Sequence, residues 1–175
     1  MAHHVRKSAV DLPSTLTLRR ATAADLSTVC DLAQELNMLH HQAWPQLFAP
    51  PATPSIDSAH WHDSIVAPGR AAFLAEQAGV ALGFITAAIA DETHSLRQPM
   101  RMGRVNSICV LPSARGLGLG TRLMAEAEQW ASSQGAVDMQ LVVWAFNEDA
   151  VRLYQELGYA IRSHTMGKRL EASED

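Results

Sequence analysis

The feature that most constrains how this chain can fold is a series of alternating glycines between a largely apolar segment and an amphipathic one. Residues 105–111 are rich in apolar and β-branched side chains, which is typical of a buried strand, and Pro112 closes this segment. Gly116, Gly118 and Gly120 follow at every second position. Beyond them, apolar side chains recur at helical spacing. This order predicts a strand, a tight turn and a helix in immediate succession.

A glycine-rich turn of this kind is suited to bind an anion. Glycine lets the backbone approach a ligand closely, and the first amides of a helix have no acceptor within the helix. Together with the positive end of the helix dipole, these amides favour a phosphate group. A Walker loop would need a Lys before Thr121, and a dinucleotide fingerprint would need a glycine in place of Thr121. The pattern therefore favours a phosphate ligand other than ATP, GTP, NAD or FAD.

The rest of the chain is predicted to alternate between strands and helices. A helix capped by Thr22 and Asp25 follows the first strand. It gives way near His40 to a proline-rich irregular segment that reaches Gly69, and the helix after the glycines ends near Gly135. The other expected elements are a strand at residues 16–18, a short helix at 58–66, a hairpin of strands 71–75 and 80–90, a strand at 139–144, a helix at 147–157 and a final strand or hairpin at 159–170.

Composition favours one domain without a surface for nucleic acid or membrane. The chain has 175 residues, 47% of them apolar, and a formal net charge of -4 with scattered Lys and Arg. No apolar stretch is long enough to cross a membrane. We expect a flexible N-terminal arm over residues 1–14 and a single domain over residues 15–172. Cys30 and Cys109 lie in apolar runs, which predicts buried free thiols in a reducing, cytoplasmic setting.

Two motifs in this order resemble those of the GNAT superfamily of N-acetyltransferases. The family's pyrophosphate-binding pattern is Arg or Gln, two residues, Gly, one residue, then Gly or Ala, and Arg115, Gly118 and Gly120 match it. A second family pattern of Asn, Ala, Tyr, Gly and an aromatic residue is matched further along by Asn147, Ala150, Tyr154, Gly158 and Tyr159. The resemblance covers residues 102–160 by motif and residues 16–90 by element order alone.

This resemblance implies a fold and a cosubstrate. The fold would be α/β, with a mixed, mostly antiparallel central sheet flanked by helices. A pair of central strands, near Val105 and Met139, would splay apart where acetyl-CoA enters. The turn would hold the CoA pyrophosphate, and the edge of the preceding strand would pair with the pantetheine arm. The cofactor-binding residues implied in this way are Ile108, Cys109, Val110, Arg115, Gly116, Leu117, Gly118, Leu119, Gly120, Thr121 and Asn147.

Tyr154 is the implied catalytic residue and would face the sulfur of the thioester. A phenol of pKa about 10 stays protonated at neutral pH and can donate a proton to a thiolate of pKa about 8.5. Its spacing equally fits a core aromatic residue, and Asn147 equally fits the N-cap of its own helix. Many family members place a carboxylate on the strand before the glycine-rich turn, whereas residues 103–111 contain no Asp or Glu, so the general base stays open. The alternatives are His40 or His41, Asp91 or Glu92, or an ordered water chain.

The segment between the first helix and the hairpin is rich in His, Trp and Pro. In the family this region forms the wall of the acceptor site, which implies substrate contacts from His40, Trp44 and Phe48. The same side chains would also suit a hydrophobic cover over the sheet. Four histidines could bind zinc if they were brought together, but their spacing fits no standard zinc site, and no metal is predicted. They are His40, His41, His60 and His62.

The activity predicted from the two motifs is transfer of an acetyl group from acetyl-CoA to a primary amine. The amine belongs to a small molecule or a peptide, which the sequence does not identify, and attacks directly in a ternary complex. The missing strand carboxylate favours one alternative, a catalytically inactive module that binds acyl-CoA for regulation or interaction. Neither nucleic acid nor membrane is expected as a partner. A homodimer is a further expectation, with the apolar C-terminal strand as its interface.

Overall fold

The computed structural model describes residues 15–52 and 56–170. They belong to two units, of which the first ends at Val142 and the second follows it. The expected N-terminal arm, residues 1–14, lies outside the described residues, and so do the last residues of the expected domain 15–172. That single domain stays a prediction.

Five strands of the first unit form one sheet in chain order. They are β1 (Leu16–Arg20), β2 (Arg70–Gln77), β3 (Val80–Glu92), β4 (Met100–Val110) and β5 (Asp138–Leu141). Strands β1 to β4 pair in antiparallel fashion, and β5 runs parallel to β4. Ala78 and Gly79, with φ of 53° and 76°, join β2 to β3, because two left-handed residues suit a two-residue hairpin. The mixed, mostly antiparallel sheet is confirmed.

Three helices of the first unit cover both faces of the sheet. They are α1 (Leu26–Ala43), α2 (Ser58–Val66) and α3 (Leu119–Ser133). Helices α1 and α2 share a core with one set of strand residues, among them Leu74, Phe84 and Cys109. Phe73 lines a cavity together with Trp130 of α3. Because neighbouring strand residues point to opposite faces, Phe73 and Leu74 place α3 on the side opposite α1 and α2.

The start of α1 is fixed by the capping residues that the sequence predicted. Thr22 donates its backbone N–H and its hydroxyl to one carboxylate oxygen of Asp25, at 2.8 and 3.1 Å. Arg19 of β1 donates two hydrogen bonds to the same carboxylate, at 2.9 and 2.7 Å, and also pairs with Glu76 of β2. These contacts tie the beginning of α1 to the edge of the sheet.

The end of α1 differs from the prediction. The helix continues through His40 and His41 to Ala43, although an irregular segment was expected from His40 onward. Residues 37–43 contain neither glycine nor proline, and Pro45 is the first residue that cannot continue a helix. Both histidines are therefore helical, in the last turn of α1.

Strand β4 also begins earlier than the apolar pattern suggested. It starts at Met100. Arg101 and Arg104 interrupt the apolar pattern, but their backbone still pairs with β3. Strand β5 is shorter than predicted and ends at Leu141. Polar side chains at an exposed position do not prevent backbone pairing, so the ladder extends further than the apolar residues do.

Strands β4 and β5 run together along only part of β4. Pairing extends from Met102 opposite Asp138 to Val105 opposite Leu141, and beyond it the described residues pair no further β5 residue with β4. At Asn106, β4 contains one residue more than β3, which is a β-bulge. The remaining end of β4, which leads into the glycine-rich turn, therefore has one edge that is paired with no strand of the described residues, and we call it the uncovered edge. The parallel pair of β4 and β5 is therefore present, but it lies at the edge of the described sheet and not at its centre.

The second unit contains one helix, α4 (Glu148–Glu156), with defined ends. The side-chain oxygen of Asn147 accepts a hydrogen bond from the Ala150 N–H at 3.3 Å, so Asn147 is the N-cap. Gly158, with φ of 90°, ends the helix. Across the described parts of the chain, neither α4 nor any other helix is long and apolar enough to cross a membrane.

The segment after α4 contradicts the prediction of a final strand or hairpin. Residues 159–170 form neither helix nor strand. Ile161 and Met166 are five positions apart, so a regular strand would direct them to opposite faces. No single apolar face is available to anchor such a strand on a core.

Candidate active site

The glycine-rich turn joins β4 to α3 through a left-handed backbone. A short 3-10 turn, Pro112–Ala114, follows the strand. Gly116 and Gly118 then adopt φ of 77° and 72°, and Gly118 is the N-cap of α3. The helix begins at Leu119, so Gly120 lies in its first turn instead of preceding it. A β-carbon at Gly116 or Gly118 would have no neighbour within 4 Å, which leaves the space beside both residues open.

A run of amides at this turn donates to no backbone carbonyl of the described residues. The first helical hydrogen bond of α3 runs from the Arg122 N–H to the Gly118 carbonyl, at 3.1 Å. For the amides of residues 116–121, the described parts of the chain offer no backbone acceptor. Such amides, at the positive end of a helix dipole, bind phosphate oxygens. The predicted anion site therefore has the required donors.

Just before the turn, the backbone N–H and C=O groups of successive β4 residues point alternately to the two edges of the strand. Leu111 donates its N–H to a carbonyl of β3 at 2.9 Å. Since hydrogen-bonded positions recur at every second residue of an antiparallel pair, Cys109 also directs its backbone to β3, whereas Ile108 and Val110 direct theirs to the uncovered edge. On that edge, the Val110 carbonyl accepts a hydrogen bond from Nε of Arg115 at 3.4 Å.

The thiol of Cys109 is buried and keeps its proton. Burial raises its pKa to about 11, the negative charge of Glu35 contributes in the same direction, and Arg115 opposes both. A thiol of this kind carries almost no thiolate at neutral pH and is not a nucleophile. Cys30 is likewise free and buried, and burial raises its pKa. The predicted state of both cysteines is confirmed.

Glu35 is a carboxylate near the site that the sequence analysis missed. It lies on α1, which packs against β3 and β4, and its charge acts on Cys109 of β4. Glu35 is half-buried, whereas Asp31, one turn earlier, is exposed. Acidic residues four positions apart are typical of a solvated helix face, so the sequence pattern does not indicate that Asp31 and Glu35 differ in burial. Only the packing of α1 on the sheet distinguishes these two residues.

Two carboxylates considered as bases lie at the end of β3 and β4 that is far from the glycine-rich turn. Asp91 and Glu92 are engaged in ion pairs with Arg101 and Arg97, at 3.0 and 3.1 Å. Asp91 stands opposite Arg101, whereas Val110 lies nine residues further along β4. At about 3.3 Å per residue, this separation is roughly 30 Å. Neither carboxylate can reach a reacting group near Val110.

The three predicted substrate residues are brought together at the end of α1. The ring of Phe48 meets that of His40 edge to face, with centroids 4.9 Å apart, and lies parallel to that of Trp44 at 6.5 Å. His41 donates from Nδ1 to the Phe48 carbonyl at 2.9 Å. We call His40, Trp44 and Phe48 the aromatic cluster. All three side chains are half-buried, so each keeps some surface accessible to a ligand.

The histidines of α2 do not join those of α1 in a metal site. His60 packs its ring against Trp61 at 4.8 Å, and His62 lies 3.9 Å from the carboxylate of Asp63. Within residues 15–52 and 56–170, no three His, Cys, Asp or Glu side chains are grouped so that they could hold a metal ion.

Tyr154 and Asn147 belong to the second unit. Tyr154 is only 7% exposed, and burial raises its pKa to about 12. Its ring lies 6.1 Å from that of Tyr159, whose N–H donates to the Tyr154 carbonyl at 2.9 Å. The phenol therefore keeps its proton throughout the physiological range. Asn147 uses its side chain as an N-cap, as the sequence alternative proposed.

Comparison with known proteins identifies the family. Residues 34–159 match the profile of the acetyltransferase (GNAT) family. The chain is 27% identical over 129 residues to aminoglycoside N(6')-acetyltransferase type 1 of Salmonella enteritidis, covering 72% of this chain and 89% of the relative. It is 29% identical over 151 residues to aminoalkylphosphonate N-acetyltransferase of Salmonella typhimurium, covering 85% of this chain and 88% of the relative.

The fold is also similar to that of a solved acetyltransferase structure. The aminoglycoside N-acetyltransferase AAC(6')-Iy, solved in complex with CoA, has a TM-score of 0.72 and 22% identity, covering 94% of this chain and 100% of that chain. The family match spans the glycine-rich turn, the aromatic cluster and Tyr154. The chain thus belongs to the GNAT family of acetyltransferases, and it is an acyl-CoA N-acyltransferase.

Proposed function

We propose that this enzyme transfers an acetyl group from acetyl-CoA to a primary amine by direct attack in a ternary complex. The observation that carries the proposal is the turn at Gly116 and Gly118, where the amides of residues 116–121 have no backbone acceptor in the described chain and adjoin open space. These donors complement the two negatively charged phosphates of a pyrophosphate. Arg115, next to the turn, adds a positive charge.

The uncovered edge of β4 suits the pantetheine arm, which carries amide groups of its own. Ile108 and Val110 direct their backbone groups to this edge, so they can pair with an extended ligand as a further strand would. The Val110 N–H can also polarise the thioester carbonyl. Cys109 contributes side-chain packing beneath the arm, because its own backbone groups face β3.

Tyr154 acts on the leaving sulfur in this proposal. The amine nitrogen attacks the thioester carbon, the carbon–sulfur bond breaks, and the electron pair leaves with sulfur. A phenol of pKa about 12 holds its proton more tightly than a thiol of pKa about 8.5. Tyr154 therefore stabilises the departing thiolate mainly by donating a hydrogen bond, and the proton lost by the amine balances the charge.

The acceptor amine is proposed to approach from the side of α1. The aromatic cluster offers apolar surface, and Glu35 is a half-buried carboxylate on the same helix. We assign Glu35 the task of attracting the cationic amine and receiving its proton, either directly or through water. His40 and His41 remain alternative proton acceptors. Two relatives act, by name, on aminoglycosides and aminoalkylphosphonates, so amines on small polar carriers are the first acceptors to test.

The proposed setting is the cytoplasm. Cys30 and Cys109 are free and buried, as they would be in a reducing compartment. Acetyl-CoA is the cosubstrate expected in that compartment.

The test is release of free CoA by the purified protein. Acetyl-CoA is mixed with aminoglycosides, aminoalkylphosphonates, polyamines and short peptides in turn, and each product is examined by mass spectrometry for one added acetyl group. The proposal expects turnover with at least one amine and none without amine. If acetyl-CoA binds but no amine is acetylated, the protein is an inactive acyl-CoA-binding module, the alternative that the missing β4 carboxylate favours.

A further inference from the structure

A cavity of about 270 Å³ lies on the face of the sheet that α3 covers. The aromatic cluster and Glu35 belong to α1, which covers the opposite face, so this cavity is no part of the proposed acceptor side. Pockets for drug-sized ligands measure roughly 300–1,000 Å³, so this cavity suits a smaller molecule. Two residues of the sheet and four of α3 line it: Arg20, Phe73, Glu126, Gln129, Trp130 and Ser133.

The sheet contributes one charged and one aromatic side chain to the cavity. Arg20, the last residue of β1, stands opposite Phe73 of β2 in the strand register. Directly opposite residues of an antiparallel pair direct their side chains to the same face, so Arg20 lies beside Phe73 in the cavity wall. Within the described chain, the guanidinium donates one hydrogen bond, to the Arg70 carbonyl at 3.1 Å, and forms no ion pair. Most of its five donors therefore remain available to a ligand.

Helix α3 contributes the opposite charge. Its four lining residues recur at positions i, i+3, i+4 and i+7, so they form one stripe along the helix. The half-buried Glu126 pairs neither with Arg20 nor with Arg122, one turn earlier, and no other described residue donates to its carboxylate. Trp130 is only 9% exposed, and its indole N–H has no acceptor among the residues that the structure describes.

Two opposite charges thus line one cavity without pairing with each other. Partial burial of a carboxylate costs free energy that a cationic partner would offset. A guanidinium and a carboxylate that stay apart fit a ligand that carries both complementary charges, and an α-amino acid carries them on a single carbon. Arg and carboxylate groups form strong, often bidentate, hydrogen bonds. The nearly buried aromatic rings beside them add apolar surface.

We propose that this cavity binds a free α-amino acid with an apolar side chain. Its carboxylate accepts hydrogen bonds from Arg20, and its ammonium group donates to Glu126. Its side chain packs against Phe73 and Trp130. The amino acid is bound on the face of the sheet opposite the aromatic cluster, so it is a second ligand and not the acetyl acceptor.

The first test is calorimetric titration of the full chain with L-leucine or L-phenylalanine, without acetyl-CoA. At least one of them is expected to bind with a Kd below about 1 mM. Leucinamide lacks the carboxylate and N-acetylleucine lacks the ammonium group, so each should bind at least about tenfold more weakly than leucine, in keeping with loss of a hydrogen bond to a charged group. Equal binding of either derivative, or no binding of either amino acid at about 10 mM, would overturn the proposal.

Replacement of Glu126 by Gln tests the assigned contact. It should weaken leucine binding at least about tenfold but leave the residual binding of N-acetylleucine unchanged, because that ligand has no ammonium group to lose. Glu128→Gln is the matched control, since Glu128 is also half-buried on α3 but does not line the cavity. Equal losses in the two variants would contradict the assignment.

Replacement of Glu35 by Gln separates the cavity from the acceptor side, and it should leave leucine binding unchanged. Weaker leucine binding in Glu35→Gln, together with unchanged binding in Glu126→Gln, would place the amino acid on the acceptor side and overturn the proposal. These titrations require no turnover. The second ligand site can therefore fail while the acetyltransferase activity stands.

Discussion

Gly118 determines both the course of the chain and the shape of the proposed cofactor site. Its φ of 72° lies in the left-handed region, and the residue is also the N-cap of α3. A side chain here would add backbone strain of about 1 to 2 kcal/mol. It would also extend into the open space beside the unpaired amides. Stability and ligand affinity are therefore coupled at this one position.

Replacement of Gly118 by Ala is expected to lower the free energy of unfolding by about 1 to 2 kcal/mol. It should also weaken acetyl-CoA binding by about tenfold or more, measured by calorimetry. Gly167→Ala is the control, because Gly167 also has open surroundings but no left-handed backbone. Unchanged affinity in the Gly118→Ala variant would remove the turn from the cofactor site.

Replacement of Tyr154 by Phe is expected to reduce kcat by about 100-fold, within the usual range for loss of an acid or hydrogen-bond donor at a reacting group. The KM for acetyl-CoA should change little, since the ring remains. Because the pKa of Tyr154 is about 12, ionisation of this phenol should cause no loss of wild-type activity below about pH 11. Tyr159→Phe serves as the control, and a full rate in Tyr154→Phe would make Tyr154 a core aromatic residue only.

Replacement of Glu35 by Gln should lower kcat/KM for the amine by about tenfold at neutral pH, within the range of a lost base or charge contact. The affinity for acetyl-CoA should stay unchanged, because Glu35 is assigned to the acceptor side. Asp31→Asn removes an exposed carboxylate one turn away on the same helix and should have no effect. Equal effects of the two substitutions would indicate a general influence of charge instead of a role for Glu35.

The site residues that could be predicted are those with a local structural requirement. Alternating glycines specify a left-handed turn before a helix, and Asn147 is a preferred capping residue, so both could be inferred from neighbours in sequence. Glu35 could not, because its partial burial depends on how α1 packs across β3 and β4. For the same reason, sequence alone could not exclude Asp91, whose distance from Val110 follows from the strand register.

At the scale of whole elements, the junction of β1 and α1 is held by one partly buried carboxylate, that of Asp25. Hydrogen bonds from Arg19, followed by those from Thr22, hold the pKa of Asp25 well below its usual range, against the effect of burial. A carboxylate with a lowered pKa in the folded state stabilises the fold above the ordinary pKa of about 4. This contribution is lost progressively as the pH falls below that value.

Replacement of Asp25 by Asn should therefore lower the free energy of unfolding by about 1 kcal/mol at pH 7, because Arg19 is partly exposed and solvent screens the pair. The variant should also lose less stability than the wild type between about pH 4 and pH 2. Asp91→Asn is the control, because it breaks an ion pair at 3.0 Å whose carboxylate is 63% exposed. Chemical denaturation at several pH values measures both effects, and parallel pH profiles for wild type and Asp25→Asn would contradict the assignment.

Elements with a clear apolar period were predicted well, and elements that depend on distant partners were not. The residues of α2, Ser58–Val66, and the hairpin turn at Ala78 and Gly79 were identified from local pattern alone. The beginning of β4 was missed because Arg101 pairs through its backbone with β3, which the side-chain pattern cannot reveal. Residues 159–170 were expected to form a strand and do not. Apolar residues are present in this segment, but they do not lie on one face.

For the molecule as a whole, the family match and the arrangement of the sheet both support an acyl-CoA N-acyltransferase. The mixed sheet could be predicted only through resemblance, because strand order and the parallel pairing of β4 with β5 are not encoded in periodicity. The account requires that an acyl-CoA binds at the glycine-rich turn.

Thermal unfolding with and without acetyl-CoA tests the central claim most directly, with CoA, ATP and NADH measured alongside. At about 100 times its dissociation constant, a ligand adds roughly 2.7 kcal/mol to the free energy of unfolding, which should raise the midpoint by about 5 to 10 °C for a chain of this size. The account predicts this rise with acetyl-CoA and CoA only. No rise with either CoA species, or an equal rise with ATP or NADH, would contradict it.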